Sequence, residues 1–342
     1  MSSPAFAPAR AGELHPALMP RADGNTGPII EIAGLTRRYG RVVAVDRLTT
    51  DVPRASIGLL GANGAGKTTL IKMLLGLTTP TAGTARVLGL ESAKDGVQIR
   101  RQVGYMPESD VLPPGATAAD FVAHMGEMNG LPARVARQRA ADVLYQVGLR
   151  EERYRLIKGF STGMKQRVKL AQALVHDPAL VFLDEPTNGM DPQGRDEMLD
   201  LINRIYHMLG IAVVVSSHIL EDIERVCDYV VIISGGRLVV SQPLQDMGLA
   251  TGDLLVRVDG DRAAFADRLI GLGIPVSEPT DDELRSREEL QVAFTGDEIY
   301  DVIRDAAADL GLSLRSLRQK GRSLEDLYLG NINGEGSPKG VA

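Results

Sequence analysis

The stretch GANGAGKTTL, residues 61–70, constrains this chain more than any other ten residues. It fits the pattern G-x-x-x-x-G-K-[ST] and stands where that pattern has physical meaning, after the strand-like run SIGLL and before an apolar helix. Gly61, Asn63, Gly64 and Gly66 allow backbone N–H groups to curl around phosphate oxygens. Lys67 is placed to reach the β and γ phosphates of a nucleotide, and Thr68, followed by Thr69, to ligate Mg²⁺. A chain committed to such a loop needs a strand and a helix on either side, and therefore an α/β core.

Two further runs supply what that core would need. In ALVFLDEP an unbroken apolar segment predicts a buried strand, and Asp184 emerges at its C-terminal end, where open α/β sheets hold ligands. Glu185 follows at once, suited to polarise an attacking water while Asp184 serves the metal. Without the upstream loop this acidic pair reads as the solvated end of a strand. VVVSSH places His218 just past another buried strand; alone it reads as structural or exposed, and in this company as a hydrogen-bond partner of the terminal phosphate. FSTGMKQR precedes a helix, so Ser161 and the N–H of Gly163 sit at a positive helix terminus able to bind phosphate. The chain already holds one such terminus at Lys67, which suggests that this second one completes a site on another molecule.

Composition enters here as a limit on partners. The 342 residues are 44% hydrophobic and 24% charged, with a net charge of −6, an ordinary globular balance with no global attraction to nucleic acid or anionic lipid. No apolar run approaches the roughly 18–20 residues of a spanning helix, so work at a membrane requires a partner to hold the chain there. The single cysteine, Cys227, cannot form an internal disulfide and is expected on the buried face of a helix; the five histidines show no metal-ligand spacing.

Along the chain, residues 1–28 carry five prolines among Ala and Ser and are expected to form a disordered arm. From 29 to 60, IIEIAGL, VVAVDRL and ASIGLLG suggest a small sheet leading into the phosphate loop. Helical periodicity follows over about 117–155, then strands ALVFLD and IAVVVSS alternate with helices, which predicts a largely parallel buried sheet. One helix starts after Gly163; the next is capped by Asp191 with Pro192 at its first position and stops at Gly210. YVVIIS-GG-RLVVS is a hairpin. A boundary near 245–252 separates a second segment with the order βαββαβ, a split-βαβ arrangement over 250–332, and 333–342 reads as a disordered tail.

The FSTGMKQR segment resembles the signature of ATP-binding-cassette ATPases, and the resemblance extends over residues 29–245. It implies a P-loop NTPase cassette, with a RecA-like core, an antiparallel β-subdomain and a helical subdomain at about 109–158, followed by a small C-terminal α+β domain. It further implies that Tyr39, otherwise a plain surface or core tyrosine, stacks on adenine, that Glu108 in GYMPE touches Mg²⁺ together with Thr68 and Asp184, and that Asp191 in NGMDP faces a partner cassette. His218 matches the switch histidine. In this family two cassettes pair head to tail, each ATP held between the phosphate loop of one and the signature of the other. The chain departs from the pattern at Glu108, usually glutamine, at Thr162, usually glycine, and at Met164, usually glutamine; Ser161 and Gly163 are intact.

RRYGRVVAVDRL, STGMKQR and TNGMDPQGR look like the cassettes of drug- and polysaccharide-type exporters, and SLEDLYL near 323 like their closing segment. The expectation is a cytoplasmic ATPase subunit, peripheral to the membrane through a separate integral-membrane permease, with ATP and Mg²⁺ as cofactors. The alternative is a soluble cassette ATPase acting on ribosomes or DNA. The single cassette, the short spacing between Lys67 and Ser161 and the acidic charge speak against it, and no nucleic-acid partner is expected.

Overall fold

A computed structural model describes residues 27–109, 112–248, 253–278, 289–293 and 298–319. The proline-bearing arm up to residue 26, SLEDLYL and the tail from 333 lie outside these residues. The chain divides into two compact units, one ending at Gln242 and the other starting at Pro243.

In chain order the first unit runs β1 (Ile30–Tyr39), β2 (Val42–Val52), β3 (Ser56–Leu60), α1 (Lys67–Leu74), β4 (Ala82–Val87), β5 (Leu90–Glu91), α2 (Gly96–Gln102), β6 (Val103–Met106), α3 (Ala118–Met128), α4 (Ala133–Gln146), α5 (Thr162–Leu174), β7 (Leu180–Asp184), α6 (Pro192–Leu209), β8 (Ala212–Ser217), α7 (Leu220–Val226), β9 (Tyr229–Ser234) and β10 (Arg237–Pro243). The central sheet has the order β10-β9-β3-β8-β7-β6. β3 lies parallel to both β8 and β9, and β7 parallel to both β8 and β6. Every residue of β3, β7 and β8 is buried, which is why these strands read as continuous apolar runs instead of alternating ones.

A second, antiparallel sheet has the order β2-β1-β4-β5. Here the structure differs from the sequence reading: ASIGLLG does not extend the sheet of the first two runs but forms the middle of the central one. On its other edge from β2, β1 pairs with β4, from TAGTARV, whose exposed and glycine-containing first half hides its strand character. Leu35, Ile57, Leu70, Met73, Phe182 and Val214 belong to the core cluster that β1 and β2, helix α1 and the central sheet build together.

The helix signals act as expected. Asp191 caps α6 by accepting from the Gly194 N–H at 2.9 Å, Pro192 opens the helix, and Gly210 closes it at φ +65°. Thr117 caps α3 through the Asp120 N–H at 3.1 Å. Cys227 is buried, but it follows α7 in extended conformation instead of lying on a helical face. Burial pushes its thiol up to about 12, so it is an inert apolar residue at neutral pH. Among the described residues no helix is long and apolar enough to cross a membrane.

The second unit runs β11 (Leu254–Asp259), α8 (Arg262–Gly271), β12 (Val276–Ser277), β13 (Leu290–Val292), α9 (Ile299–Asp309) and β14 (Ser313–Gln319). Its sheet order, β12-β13-β11-β14, is that of a split βαβ unit, with the first strand between the third and the fourth. Val256, Phe265, Leu269, Val292 and Ile303 form its own core.

Candidate functional site

The phosphate loop is shaped by close backbone approach. Gly64 and Gly66 have φ of +83° and +107°, conformations that cost a residue with a β-carbon dearly. A β-carbon on Gly66 would stand 2.3 Å from the Ala44 carbonyl oxygen, and one on Gly61 2.5 Å from that of Ile233. The same neighbourhood is stitched by backbone hydrogen bonds from the Gly236 N–H to the Ala65 carbonyl at 3.0 Å and from the Asp46 N–H to the Gly236 carbonyl at 2.8 Å. Asn63 and Gly64 are exposed at the loop's tip, and Thr68 and Thr69 are half-buried. α1 then begins with no side-chain cap and no acidic residue in its first turn, leaving its N-terminal amides to a ligand.

Lys67 turns back into the site. Its Nζ donates to the Gly61 carbonyl at 2.6 Å and lies 3.1 Å from Glu185 Oε1, and the Lys67 and Glu185 side chains are each 7% exposed. The other carboxylate oxygen, Oε2, stands 2.9 Å from His218 Nδ1. The ends of β3, β7 and β8 thus bring a lysine, a glutamate and a histidine into one line, with the histidine half-exposed.

Asp184, fully buried at the last position of β7, receives two hydroxyls. Thr68 Oγ1 donates to Oδ2 at 2.9 Å and Ser216 Oγ to Oδ1 at 2.6 Å. A hydroxyl and a carboxylate converging as hard oxygen donors fit a small divalent cation such as Mg²⁺. Tyr105 on β6 stands behind them: its burial first, then the charges of Asp184 and Glu108, push its hydroxyl above the ordinary tyrosine range. Glu108 is exposed, with its Oε1 3.5 Å from Asn188 Nδ2. Glu185 itself adopts φ +50°, a left-handed conformation worth about 1–3 kcal/mol of strain in a residue other than glycine.

Ser161 and Asp191 stand apart from this line, exposed at the starts of α5 and α6. Ser161 Oγ accepts from the Met164 N–H at 3.3 Å. Gly163 keeps α5 close to the loop after β7, since a β-carbon there would come 3.3 Å from Met190 Cε, and Gln166 Nε2 donates to the Asn188 carbonyl at 3.0 Å. That loop is anchored from its other side by buried Asp222, which accepts from Thr187 Oγ1 at 2.8 Å and Arg195 Nε at 2.6 Å. Tyr39, at the end of β1, is 46% exposed and carries the Arg37 guanidinium 4.6 Å from its ring centre.

The structure therefore brings Gly61, Lys67, Thr68, Asp184, Glu185 and His218 into one bonded cluster, and leaves Ser161, Gly163 and Asp191 outside it at the starts of α5 and α6. Ser216, Tyr105 and Asp222 were not singled out from sequence. Ser216 carried a signal, the first of two hydroxyls that follow the valine run, two positions before His218.

Comparison with known proteins gives a consistent picture. A family model described as ABC transporter matches residues 46–188. The linearmycin resistance ATP-binding protein LnrL of Bacillus subtilis (strain 168) is 32% identical over 310 residues, covering 90% of this chain and 98% of that protein. The bacitracin transport ATP-binding protein BcrA of Bacillus licheniformis is 40% identical over 220 residues, 64% of this chain and 71% of that one. A solved structure of the ATP-binding subunit of an ABC transporter superposes with a TM-score of 0.57 at 30% identity, covering 64% of this chain and 91% of the other.

Proposed function

Since the chain belongs to the ATP-binding-cassette transporter family, as an ATP-binding subunit with ATPase activity, we propose that it powers export through a separate integral-membrane permease. In this reading two copies pair head to tail on the cytoplasmic face of the membrane, with Mg²⁺ at Thr68, Asp184 and Glu108. The cassette spans 29–245, its helical subdomain 109–158 meets the permease, and the α+β unit is an appendage to it. Export is favoured because relatives across most of the chain's length are named for drug resistance.

The observation that carries the proposal is the line Lys67–Glu185–His218 at the ends of three adjacent strands. Lys67 supplies a positive charge, held inside the site, to the β and γ phosphate oxygens. Glu185, aimed by its neighbours and shielded from water, accepts a proton from the attacking water. His218 holds Glu185 from the solvent side and offers its second ring nitrogen to the terminal phosphate. Thr68, Asp184 and Glu108 would hold the divalent cation, which would supply positive charge against the phosphate oxygens. Ser161, exposed at the start of α5, and the Gly163 amide in its first turn present a helix terminus to the nucleotide of the partner copy.

Glu185→Gln tests this directly. It keeps size and hydrogen bonding but removes the base, so turnover should fall roughly 10²–10⁴-fold with ATP affinity retained, and a closed dimer should accumulate in size-exclusion chromatography with Mg-ATP. Normal turnover in that variant would sink the assignment of Glu185.

A further inference from the structure

We propose that Ser216 is a positioning residue for hydrolysis, holding the backbone turn that aims the Glu185 carboxylate. The proposal rests on the assignment of Glu185 as the base.

Ser216 has no exposed surface and ends a run of three valines on β8, an environment that penalises an unbonded hydroxyl. The parallel register of β7 and β8 sets it directly beside Asp184. Its hydroxyl has one proton, and that proton goes to Asp184 Oδ1 at 2.6 Å. Its lone pairs are then left for the Glu185 N–H, which donates to Ser216 Oγ at 3.1 Å and is shared with the Ser216 carbonyl at 3.2 Å. One side chain therefore grips two consecutive acidic residues, one by its carboxylate and the next by its amide.

The second grip matters because Glu185 is the residue at φ +50°. That conformation takes Glu185 out of the line of β7 at the point where its carboxylate meets Lys67 and His218, and it persists only while its surroundings hold it. Two acceptors on β8 hold its amide. Without the hydroxyl, the carbonyl bond remains and the sheet stays paired, but the turn loses the acceptor fixed by Asp184. The consequence falls first on the aim of the carboxylate, since Ser216 bonds Asp184 and the Glu185 amide and not the glycines or Lys67 of the phosphate loop.

The test uses the full-length protein in four forms besides the wild type: Ser216→Ala, Ser216→Thr, Glu185→Gln and the double variant Ser216→Ala/Glu185→Gln. Single-turnover hydrolysis of labelled ATP and nucleotide affinity are measured for each. Ser216→Ala should lower the hydrolysis rate by about 10²-fold, the scale of a misplaced reacting group, with ATP affinity unchanged. Ser216→Thr, which keeps the hydroxyl, should recover most of that loss. In the Glu185→Gln background the alanine should remove nothing further, because both changes act through one group. A wild-type rate in Ser216→Ala overturns the proposal. So does a loss that multiplies with that of Glu185→Gln, a matching loss of ATP affinity, or a rate restored by raised Mg²⁺, which would place the effect on Asp184. If Glu185→Gln itself hydrolyses normally, the base assignment fails first; if it is silent while Ser216→Ala is normal, only this inference falls.

Discussion

Lys67 and Glu185 meet as interior residues, 7% exposed and bonded across strands, whereas Ser161 and Asp191 stand exposed at two helix starts with their side chains turned to the amides of their own first turns. The first group is assembled by the fold at the cost of burying charge, which is tolerated because each charge has a partner at bonding distance. The second group costs the fold nothing and stabilises its helices by ordinary caps. A surface built this way is complete as structure and incomplete as a site. In the proposed head-to-tail pair, one copy's interior machinery meets the other copy's surface.

This contrast can be broken at either end. Lys67→Ala removes the charge from the interior group and leaves Glu185 without its cation. Turnover should fall on the order of 10³-fold, as expected for a group that stabilises developing charge, and nucleotide binding should weaken in the monomer. Unchanged binding in calorimetry would show that Lys67 does not face the phosphates. Ser161→Ala should act differently: turnover falling about 10²-fold with monomer affinity for ATP unchanged, because in the proposed pair the lost group serves the other copy's site. Equal turnover in the variant and the wild type would dissolve the distinction between the two groups.

The smallest effect expected concerns a titrating group that belongs to neither. His176 donates its Nε2–H to the Val103 carbonyl at 3.3 Å, and its Nδ1 is buried with no hydrogen-bond partner among the described residues. Burial lowers its pKa below the ordinary 6.5 despite the opposing pull of that carbonyl and of Asp177. The unfolded chain therefore takes up the proton first, so this histidine's contribution is fully present above about pH 6.5 and declines as pH falls toward its folded pKa. Urea midpoints at pH 7.5 and 5.5 should diverge more for the wild type than for His176→Asn; identical shifts would remove His176 from the account.

The interior group was legible in part. GANGAGKT and LDEP announced Lys67, Thr68, Asp184 and Glu185 because each follows a buried strand whose apolar run is continuous in sequence. The bonds among them were not legible, since they depend on which strands lie side by side. That β3 sits between β8 and β9, and that Ser216 falls opposite Asp184, are facts of register across more than thirty residues. For the same reason sequence suggests for β1 only its immediate successors as partners, while the structure also joins it to β4 beyond β2, β3 and α1. The cap at Asp191 and the stop at Gly210 depend on neighbours within a turn of helix, and those carry over from sequence directly.

The backbone junction of Ala44, Ala65, Gly66 and Gly236 has a bearing on how such a chain can change over time. Positions 66 and 236 both face the Ala44 carbonyl, where a β-carbon would stand 2.3 and 2.8 Å away. A methyl group at either would wedge the antiparallel sheet away from the phosphate loop without altering any side chain that touches a nucleotide. Two residues 170 apart in the chain are thus shut to the same nineteen alternatives by one oxygen atom, and mutational drift toward a new specificity has to leave both untouched.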